Sequence, residues 1–255
     1  MTTQNETPDD EGLIKPFLDH LEDLRRTLLW CLAVLIVGVL IAIPIAPDIL
    51  DILKRPVAAT GRNPADFLKI IDVMGGMAVA IRVVLWSGLL ISLPLIVCLI
   101  GSFVFPGLLA NEKRTTIGAA VLAVLLFLTG VALGFSIIPA ALKAMFRVSE
   151  WMNAEPDFVR LPDYVSFVLK LLIAFGLMFE LPIVVLALGA MGLVSSPQLR
   201  EYRRYVIVGL FIAAMLLTPP DPFTQVLMAA PMTLLYEACI WILWLHEKRS
   251  SAPTE

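Results

Sequence analysis

Long apolar runs constrain this chain more than any other feature of its sequence. Residues 28–45 include no charged side chain, and an apolar stretch of about 18 residues is long enough to cross a bilayer as a helix. Hydrophobic residues make up 59% of the chain and charged residues 16%, against about 45–50% and about 25% in soluble domains. Because no soluble fold could bury so many such runs, the sequence predicts an all-α integral membrane protein.

Six segments fit the hydropathy of membrane spans. They cover residues 27–45, 77–103, 117–138, 164–191, 205–217 and 223–245. Proline lacks a backbone N–H, and its ring clashes with the preceding helical turn. We therefore expect Pro44 and Pro47 to close the first span and Pro139 to end the third. Within the long fourth span, Pro182 predicts a kink.

The segments outside the spans define the predicted domain organisation. Residues 1–15 are polar and acidic, which predicts a disordered cytoplasmic tail without the features of a cleaved signal. Residues 16–246 form the predicted transmembrane domain of six helices, and residues 247–255 form a second cytoplasmic tail. An amphipathic helix that starts at Pro16 leads into the first span along the membrane surface. Residues 46–75 and 140–162 are expected to form amphipathic caps outside the membrane.

The distribution of basic residues predicts the orientation of the chain. Six spans put both termini on the same side of the membrane. The segments on the side of the termini hold ten lysines and arginines, and those on the other side hold seven. Basic residues concentrate in cytoplasmic segments, so both termini are expected in the cytoplasm.

Composition and motifs argue against several classes of function. A net charge of −3 gives no basis for nucleic-acid binding. The two histidines, His20 and His246, lie near opposite ends of the chain, and the sequence has no HExxH, GxSxG or P-loop motif. All three cysteines lie in apolar runs, where a free thiol behaves as a small hydrophobe. We expect no enzymatic activity, no metal site and no cofactor.

Ionisable side chains inside membrane spans are costly and mark candidate functional sites. Arg82 and Lys170 lie near the predicted outer ends of their spans, where long stems bring the charge to the interface. Glu180 lies near the middle of span four, and a short carboxylate cannot reach the interface from there. It is either a structural hydrogen-bonding group between helices or a docking point for another helix or a transit path. Glu237 is interpreted as structural.

Acidic residues gather on the predicted cytoplasmic surface. Glu22 and Asp23 precede span one, and Glu112 lies in the turn after span two. If these spans pack together, the carboxylates form a face that suits a guanidinium group, whose planar fork bonds carboxylates bidentately. Phe103 adds an apolar wall for a hydrophobic ligand segment. The alternative is that these are solvated loop acids without a ligand.

Several motifs, in order along the chain, resemble those of TatC, the multispanning receptor of the twin-arginine translocase. The matching segments are residues 20–26 (HLEDLRR), 102–108 (SFVFPGL), 111–114 (NEKR), 166–167 (SF), 174–182 (AFGLMFELP), 203–205 (RRY) and 215–221 (MLLTPPD). The resemblance extends over about residues 17–245. It implies a glove-shaped bundle of six helices with both termini in the cytoplasm of a bacterial cell, in the inner membrane.

The resemblance also implies roles for individual residues. Twin-arginine signal peptides would contact Asp23, Glu112, Arg25 and Phe103, with Glu22 beside them. The family commonly has Glu where this chain has Asp23, so the reach of that carboxylate is one methylene shorter.

Other positions match sites of contact with partners and functional external loops. Glu180 matches an intramembrane residue linked to the single-span partners TatA and TatB, and Pro56 and Asp221 match positions in external loops. Proteins of this family self-associate in a larger complex in the lipid bilayer. They move folded proteins with the proton-motive force and without ATP.

Two alternatives have different consequences. A proton-coupled small-molecule transporter would use Glu180 as its proton carrier, but the sequence has no visible repeat and no second charge at the midplane. An intramembrane enzyme would need a nucleophile–base pair or a metal set, and the sequence offers neither.

Overall fold

The computed structural model describes residues 9–104, 113–153, 157–217 and 222–250. Helices account for nearly all of them, which confirms the all-α class. In chain order the elements are α1 (Asp9–Ala58), α2 (Pro64–Phe67), β1 (Leu68–Lys69), α3 (Gly75–Val104), α4 (Lys113–Trp151), β2 (Val159–Arg160), α5 (Leu161–Met178), α6 (Leu181–Ala190), α7 (Ser196–Leu217) and α8 (Pro222–Ser250).

The prolines expected to end the first and third spans lie inside continuous helices. Helix α1 has 50 residues and runs through Pro44 and Pro47, and Pro139 lies inside α4. The prediction was wrong because a proline is tolerated inside a membrane helix wherever surrounding groups and local helical adjustments can satisfy the backbone groups that it frees. Both helices therefore continue beyond their spans into the segments predicted as caps.

The start of α1 also differs from the prediction. The helix begins at Asp9, inside the segment 1–15 predicted to be a disordered tail, and residues 1–8 lie outside the described part. The amphipathic lead-in expected to begin at Pro16 is thus continuous with the first span rather than a separate surface helix.

The fourth span is broken where the sequence predicted a kink. Helix α5 ends at Met178, and α6 begins at Leu181 with Pro182 in its first turn. Pro182 has no N–H to donate to Met178, so the regular helical ladder is interrupted there. Phe179 and Glu180 form the intervening turn, in which the Glu180 N–H donates to the carbonyl of Leu177 at 3.1 Å.

One end of the molecule is closed by a structure that we call the cap, made of residues 46–74, 140–153 and 157–163. Here β1 and β2 form a parallel pair, with Leu68 opposite Val159 and Lys69 opposite Arg160. The sequence did not predict these strands. The pairing ties the connection between α1 and α3 to the connection between α4 and α5. The Tyr164 hydroxyl donates to the Leu53 carbonyl at 2.6 Å just below this sheet.

The largest hydrophobic core among the described residues begins within the cap and extends along α5. Its fully buried members include Val57, Ile138, Val165 and Phe175. Phe67 packs edge-on against Phe146, with their ring centroids 5.3 Å apart. Side chains from α1, α3, α4 and α5 therefore meet in one core at this end.

Helices α1 and α3 pack closely as an antiparallel pair. The Ser92 hydroxyl donates to the carbonyl of Val34 at 3.1 Å. A Cβ atom added at Gly88 would lie 2.6 Å from the Cα of Val39, closer than real contacts allow. Glycine at this position lets the two backbones approach, as small residues do between membrane helices.

Five segments within the described residues are long and apolar enough to cross a membrane: Leu21–Ala58, Gly75–Phe103, Ala120–Trp151, Leu161–Gly189 and Gln225–Leu245. The predicted fifth span, residues 205–217, forms the second half of α7. Its first half carries four charged residues, at positions 200, 201, 203 and 204. The crossing of the membrane by α7, and with it the count of six, stays a prediction.

Candidate functional site

The end of the bundle opposite the cap, which we call the open end, includes residues 21–26 of α1 and 98–103 of α3. Val34 and Ser92 mark a contact between these antiparallel helices. Asp23 lies eleven residues before Val34, and Phe103 lies eleven residues after Ser92. At 1.5 Å per residue both lie about 16 Å from that contact, so Asp23 and Phe103 are level with each other.

The side chains predicted to bind a peptide differ in exposure at this end. Glu22, Asp23 and Arg25 are exposed, and Phe103 is half-buried. Carboxylates at an open surface can accept hydrogen bonds from an incoming cation without first losing a partner. An apolar ring at the same level can shield such contacts from water.

Two of the predicted site residues, Glu112 and Asp221, lie outside the described residues. Lys113 follows Glu112 directly and begins α4. The Cys98 thiol of α3 lies 4.0 Å from the Ala120 carbonyl of α4, which puts the start of α4 at the open end. Asp221 directly precedes α8.

Glu180 occupies the turn that separates α5 from α6. Its side chain is only 3% exposed, and within the described part of the chain neither carboxylate oxygen has a hydrogen-bond partner. The carboxylate therefore lies in the interior, in the turn between α5 and α6. Leaving a buried polar group unpaired costs about 1–3 kcal/mol. Among the buried residues that the structure describes, Glu180 is the one carboxylate, and the fold tolerates this cost there.

The resemblance implied that Pro56 lies in an external loop. The structure instead places it in a helix, far from the open end. It is buried in the last turn of α1, next to Val57 in the core of the cap. The structure thus separates Pro56 from Asp23 by most of the length of α1.

Arg82 has specific partners that the sequence did not reveal. Its guanidinium donates to the Pro162 carbonyl at 2.9 Å and to the Ser166 hydroxyl at 3.0 Å, and it lies 3.4 Å from a carboxylate oxygen of Asp163. The expectation that Arg82 merely reaches the interface was therefore incomplete. The partners lie about 80 positions away in the sequence, and no local pattern indicates such a pairing.

The remaining intramembrane charges fall into two kinds. Glu237 of α8 forms an ion pair with Arg203 of α7, which agrees with its interpretation as a structural residue. Lys170 is exposed on α5. In the described ranges, no group of three His, Cys, Asp or Glu side chains is placed to hold a metal ion.

The α7–α8 hairpin is closed by contacts that the sequence also did not predict. Glu247 accepts from the backbone N–H of Ser196 at 2.8 Å and from its hydroxyl at 2.5 Å. Because the first N–H groups of a helix have no partner within it, this carboxylate caps the start of α7. The Tyr236 hydroxyl donates to the Leu199 carbonyl at 2.8 Å.

Together these features define a polytopic helical membrane protein, with a sheet-tied cap at one end and exposed acids beside a half-buried aromatic residue at the other. The sequence profile of the family described as "Sec-independent protein translocase protein (TatC)" matches residues 19–231. The chain belongs to the TatC family.

Individual relatives and solved structures agree with this assignment. The TatC protein of Aquifex aeolicus is 33% identical over 89% of this chain and 94% of its own length. That of Escherichia coli K12 is 33% identical over 88% of this chain and 86% of its own length. Because its relatives are bacterial and it has several apolar spans, this chain is a bacterial membrane protein.

Two crystal structures of the twin-arginine translocase receptor TatC are similar to the fold. One is 32% identical, with a TM-score of 0.78 over 89% of this chain and 98% of that one. The other, determined in DDM, is 34% identical, with a TM-score of 0.79 over 88% and 99% of the two chains. The helical architecture is therefore shared over nearly the whole length of these receptors.

Proposed function

We propose that this chain is the signal-peptide receptor of a twin-arginine translocase. It binds the paired arginines of folded precursor proteins at the open end and exports them with TatA- and TatB-type partners, driven by the proton-motive force. The observation that carries the proposal is the level position of Asp23 on α1 and Phe103 on α3 at one end of the bundle. Glu112 precedes the first residue of α4 at this same end.

The chemistry of the open end suits an arginine pair. A guanidinium donates two parallel hydrogen bonds to one carboxylate, which a lysine ammonium cannot reproduce. Asp23 and Glu112 are the proposed principal acceptors, with Glu22 and Arg25 beside them. Phe103 is the proposed contact for the apolar part of the peptide.

A peptide-binding measurement tests this proposal. Charge-assisted hydrogen bonds contribute about 1.5–3 kcal/mol each, so Asp23→Ala or Glu112→Ala should weaken binding of a twin-arginine peptide about 10- to 100-fold. A Lys-Lys peptide should bind the unaltered protein comparably weakly. The matched control is Asp157→Ala, because Asp157 is an exposed acid in the cap. Equal binding of both peptides, or an equal loss with Asp157→Ala, would rule out the proposed site.

Glu180 is the proposed docking point for a single-span partner. Its buried carboxyl group has no hydrogen-bond partner among the residues that the structure describes, and it gains a contact when a polar group of another helix reaches it. Glu180→Leu should therefore reduce co-purification of the partners. It should leave the stability of the isolated chain unchanged or higher, because the substitution removes an unpaired polar group. Glu180→Gln keeps a hydrogen-bonding group and should retain part of the association. Unchanged association with Glu180→Leu would contradict this role.

The orientation and assembly belong to the same proposal. Both termini are in the cytoplasm, the cap is on the outer side of the inner membrane, and several copies assemble into a larger complex. Pro56 and Asp221 act on the outer side. Labelling of single cysteines by a membrane-impermeant reagent in intact cells should modify a cysteine at Asp157 and spare one at Asp23. The reverse pattern would overturn the orientation.

A further inference from the structure

An open cleft of about 700 Å³ lies in the cap, between the end of α1, the start of α2, β1 and the start of α5. The lining includes three basic residues, Lys54, Arg55 and Lys69, and one acid, Asp51. The proposed peptide site lies at the opposite end of the bundle, so this cleft belongs to none of the functions considered above.

The charges in the cleft do not balance. Asp51 pairs with Lys54 at 3.0 Å. Within the part of the chain that the structure describes, no carboxylate lies within 4 Å of Arg55 or Lys69. The Lys69 ammonium instead lies 5.7 Å from the centroid of the Phe158 ring. Two cations therefore remain to attract an anion.

The acids nearest in sequence to the cleft are engaged elsewhere. Asp66 accepts from the Asn63 side-chain amide at 2.7 Å. Asp72 pairs with Arg160, which also lies 3.9 Å from Asp163. Neither Asp66 nor Asp72 pairs with Arg55 or Lys69, so these two cations remain available to a ligand.

An exposed apolar loop continues directly from this cleft. Ile70 lines it, and Ile71, Val73 and Met74 follow with 58%, 102% and 71% of their surfaces exposed. The β1–β2 pairing joins the segment that carries this loop to the segment after α4, and Trp151, the last residue of α4, is 82% exposed. Such a run of apolar residues in water would be unfavourable, whereas contact with lipid would satisfy it.

The spans next to the cleft put it at the surface of the bilayer. The apolar segment Leu21–Ala58 ends at its wall, and the segment Leu161–Gly189 begins there. Ala58 and Leu161 both line it. A ligand in the cleft would thus sit at the level of lipid headgroups, with the apolar loop beside it.

We propose that this cleft binds the headgroup phosphate of an anionic phospholipid from the leaflet adjoining the cap. Arg55 and Lys69 contact the phosphate, since arginine suits phosphate geometry and lysine acts as a compact positive charge. Acyl chains lie against the loop that begins at Ile70. The lipid rather than free phosphate is the occupant because only a lipid uses the apolar loop as well as the charges.

Lipid binding to the full chain in detergent, followed by native mass spectrometry, tests the proposal. Phosphatidylglycerol should remain bound in preference to phosphatidylcholine. The double variant Arg55→Gln/Lys69→Gln should lower that preference about 10- to 30-fold, from the known contribution of each basic residue near an anionic membrane. The matched control is Lys143→Gln/Arg147→Gln, which removes two exposed cations from α4 in the cap and should leave the preference unchanged.

Additional arms distinguish the occupants. Inorganic phosphate at millimolar concentration should displace little lipid, because it lacks chains to contact the loop. Absence of a preference for phosphatidylglycerol, an equal loss in the control variant, or complete displacement by inorganic phosphate would overturn the proposal. The Arg55→Gln/Lys69→Gln variant could instead lose binding to a second copy of the chain or to an acidic protein partner, with its lipid binding unchanged. That result would assign the cleft to a protein.

Discussion

The cap and the open end use the same helices in opposite ways. In the cap, residues distant in sequence hold one another through β1–β2, the hydrogen bond of Tyr164 to Leu53, and the packing of Phe67 on Phe146. At the open end, residues 21–33 of α1 are mostly exposed. Only 11% of an apolar stretch of α1 is buried inside the protein, whereas 44% of the comparable stretch through α5 and α6 is buried.

This difference indicates a division of labour. Residues 59–74 and 157–160 of the cap lie outside the apolar spans, where burial of apolar surface stabilises the fold. The apolar middle of α1 lies where lipid is as apolar as a protein interior, so burial there gains little. Surface left exposed on α1 is available to lipid and to partners. Substitutions in the cap should therefore change stability, and substitutions on exposed α1 should change mainly binding.

The largest expected effect comes from the aromatic core of the cap. Phe67→Ala should lower the free energy of unfolding by about 3–5 kcal/mol, because it removes a buried ring and leaves a cavity. Leu32→Ala, at a position 53% exposed on α1, should change it by less than about 1 kcal/mol. Unfolding by SDS in mixed detergent micelles measures both. Similar losses would abolish the proposed difference between the regions.

The next effect tests the close packing of α1 on α3, which connects the two regions. Gly88→Ala brings a methyl group to 2.6 Å from the Val39 Cα, and overpacking of this kind costs about 1–3 kcal/mol. Gly101 is on the same helix with no atom within 4 Å of its added Cβ. Gly101→Ala should be neutral in the same unfolding titration, and an equal cost at both positions would show that the crossing is not tightly packed.

A smaller effect is expected from the hydrogen bond that ties α5 to α1. Tyr164→Phe removes a buried donor and leaves the Leu53 carbonyl without it, at a cost of about 1–2 kcal/mol. Tyr202→Phe serves as the control, because Tyr202 is 58% exposed. Thermal unfolding of the purified variants distinguishes them. If the cap does not depend on this hydrogen bond, Tyr164→Phe will leave the unfolding temperature unchanged.

The smallest effect is expected for the ion pair of the α7–α8 hairpin. Arg203→Gln should cost at most about 1 kcal/mol, because Arg203 is half-exposed and water screens the pair. The control is Arg200→Gln, which removes an exposed arginine from the same helix. Any difference between the two variants should shrink in high salt. If Arg203→Gln lowered the stability as much as Phe67→Ala, the stability of the fold would depend on residues outside the cap as strongly as on those within it.

Sequence reasoning succeeded where one segment carries its own physical signal. Apolar runs predicted the helical membrane class, and the break before Pro182 follows from the missing N–H of that residue. It failed at Pro44, Pro47 and Pro139, because a proline does not end a membrane helix as reliably as it ends a helix in water. It also missed β1 and β2, because strands of two residues carry no periodic pattern.

For the candidate site, local chemistry identified the residue types, and their assembly depended on helix packing. The sequence showed that Asp23 is an acid and that Glu180 is too short to reach the interface. The α1–α3 register made Asp23 level with Phe103, and the turn before α6 left Glu180 buried without a hydrogen-bond partner among the described residues. The partners of Arg82 came from α5, and the positive cleft came from four separate elements. Hydrophobicity and backbone chemistry act along the chain, so the sequence by itself determined the helices. Register, cap and cleft needed the tertiary structure, because they arise from contacts between residues far apart in sequence.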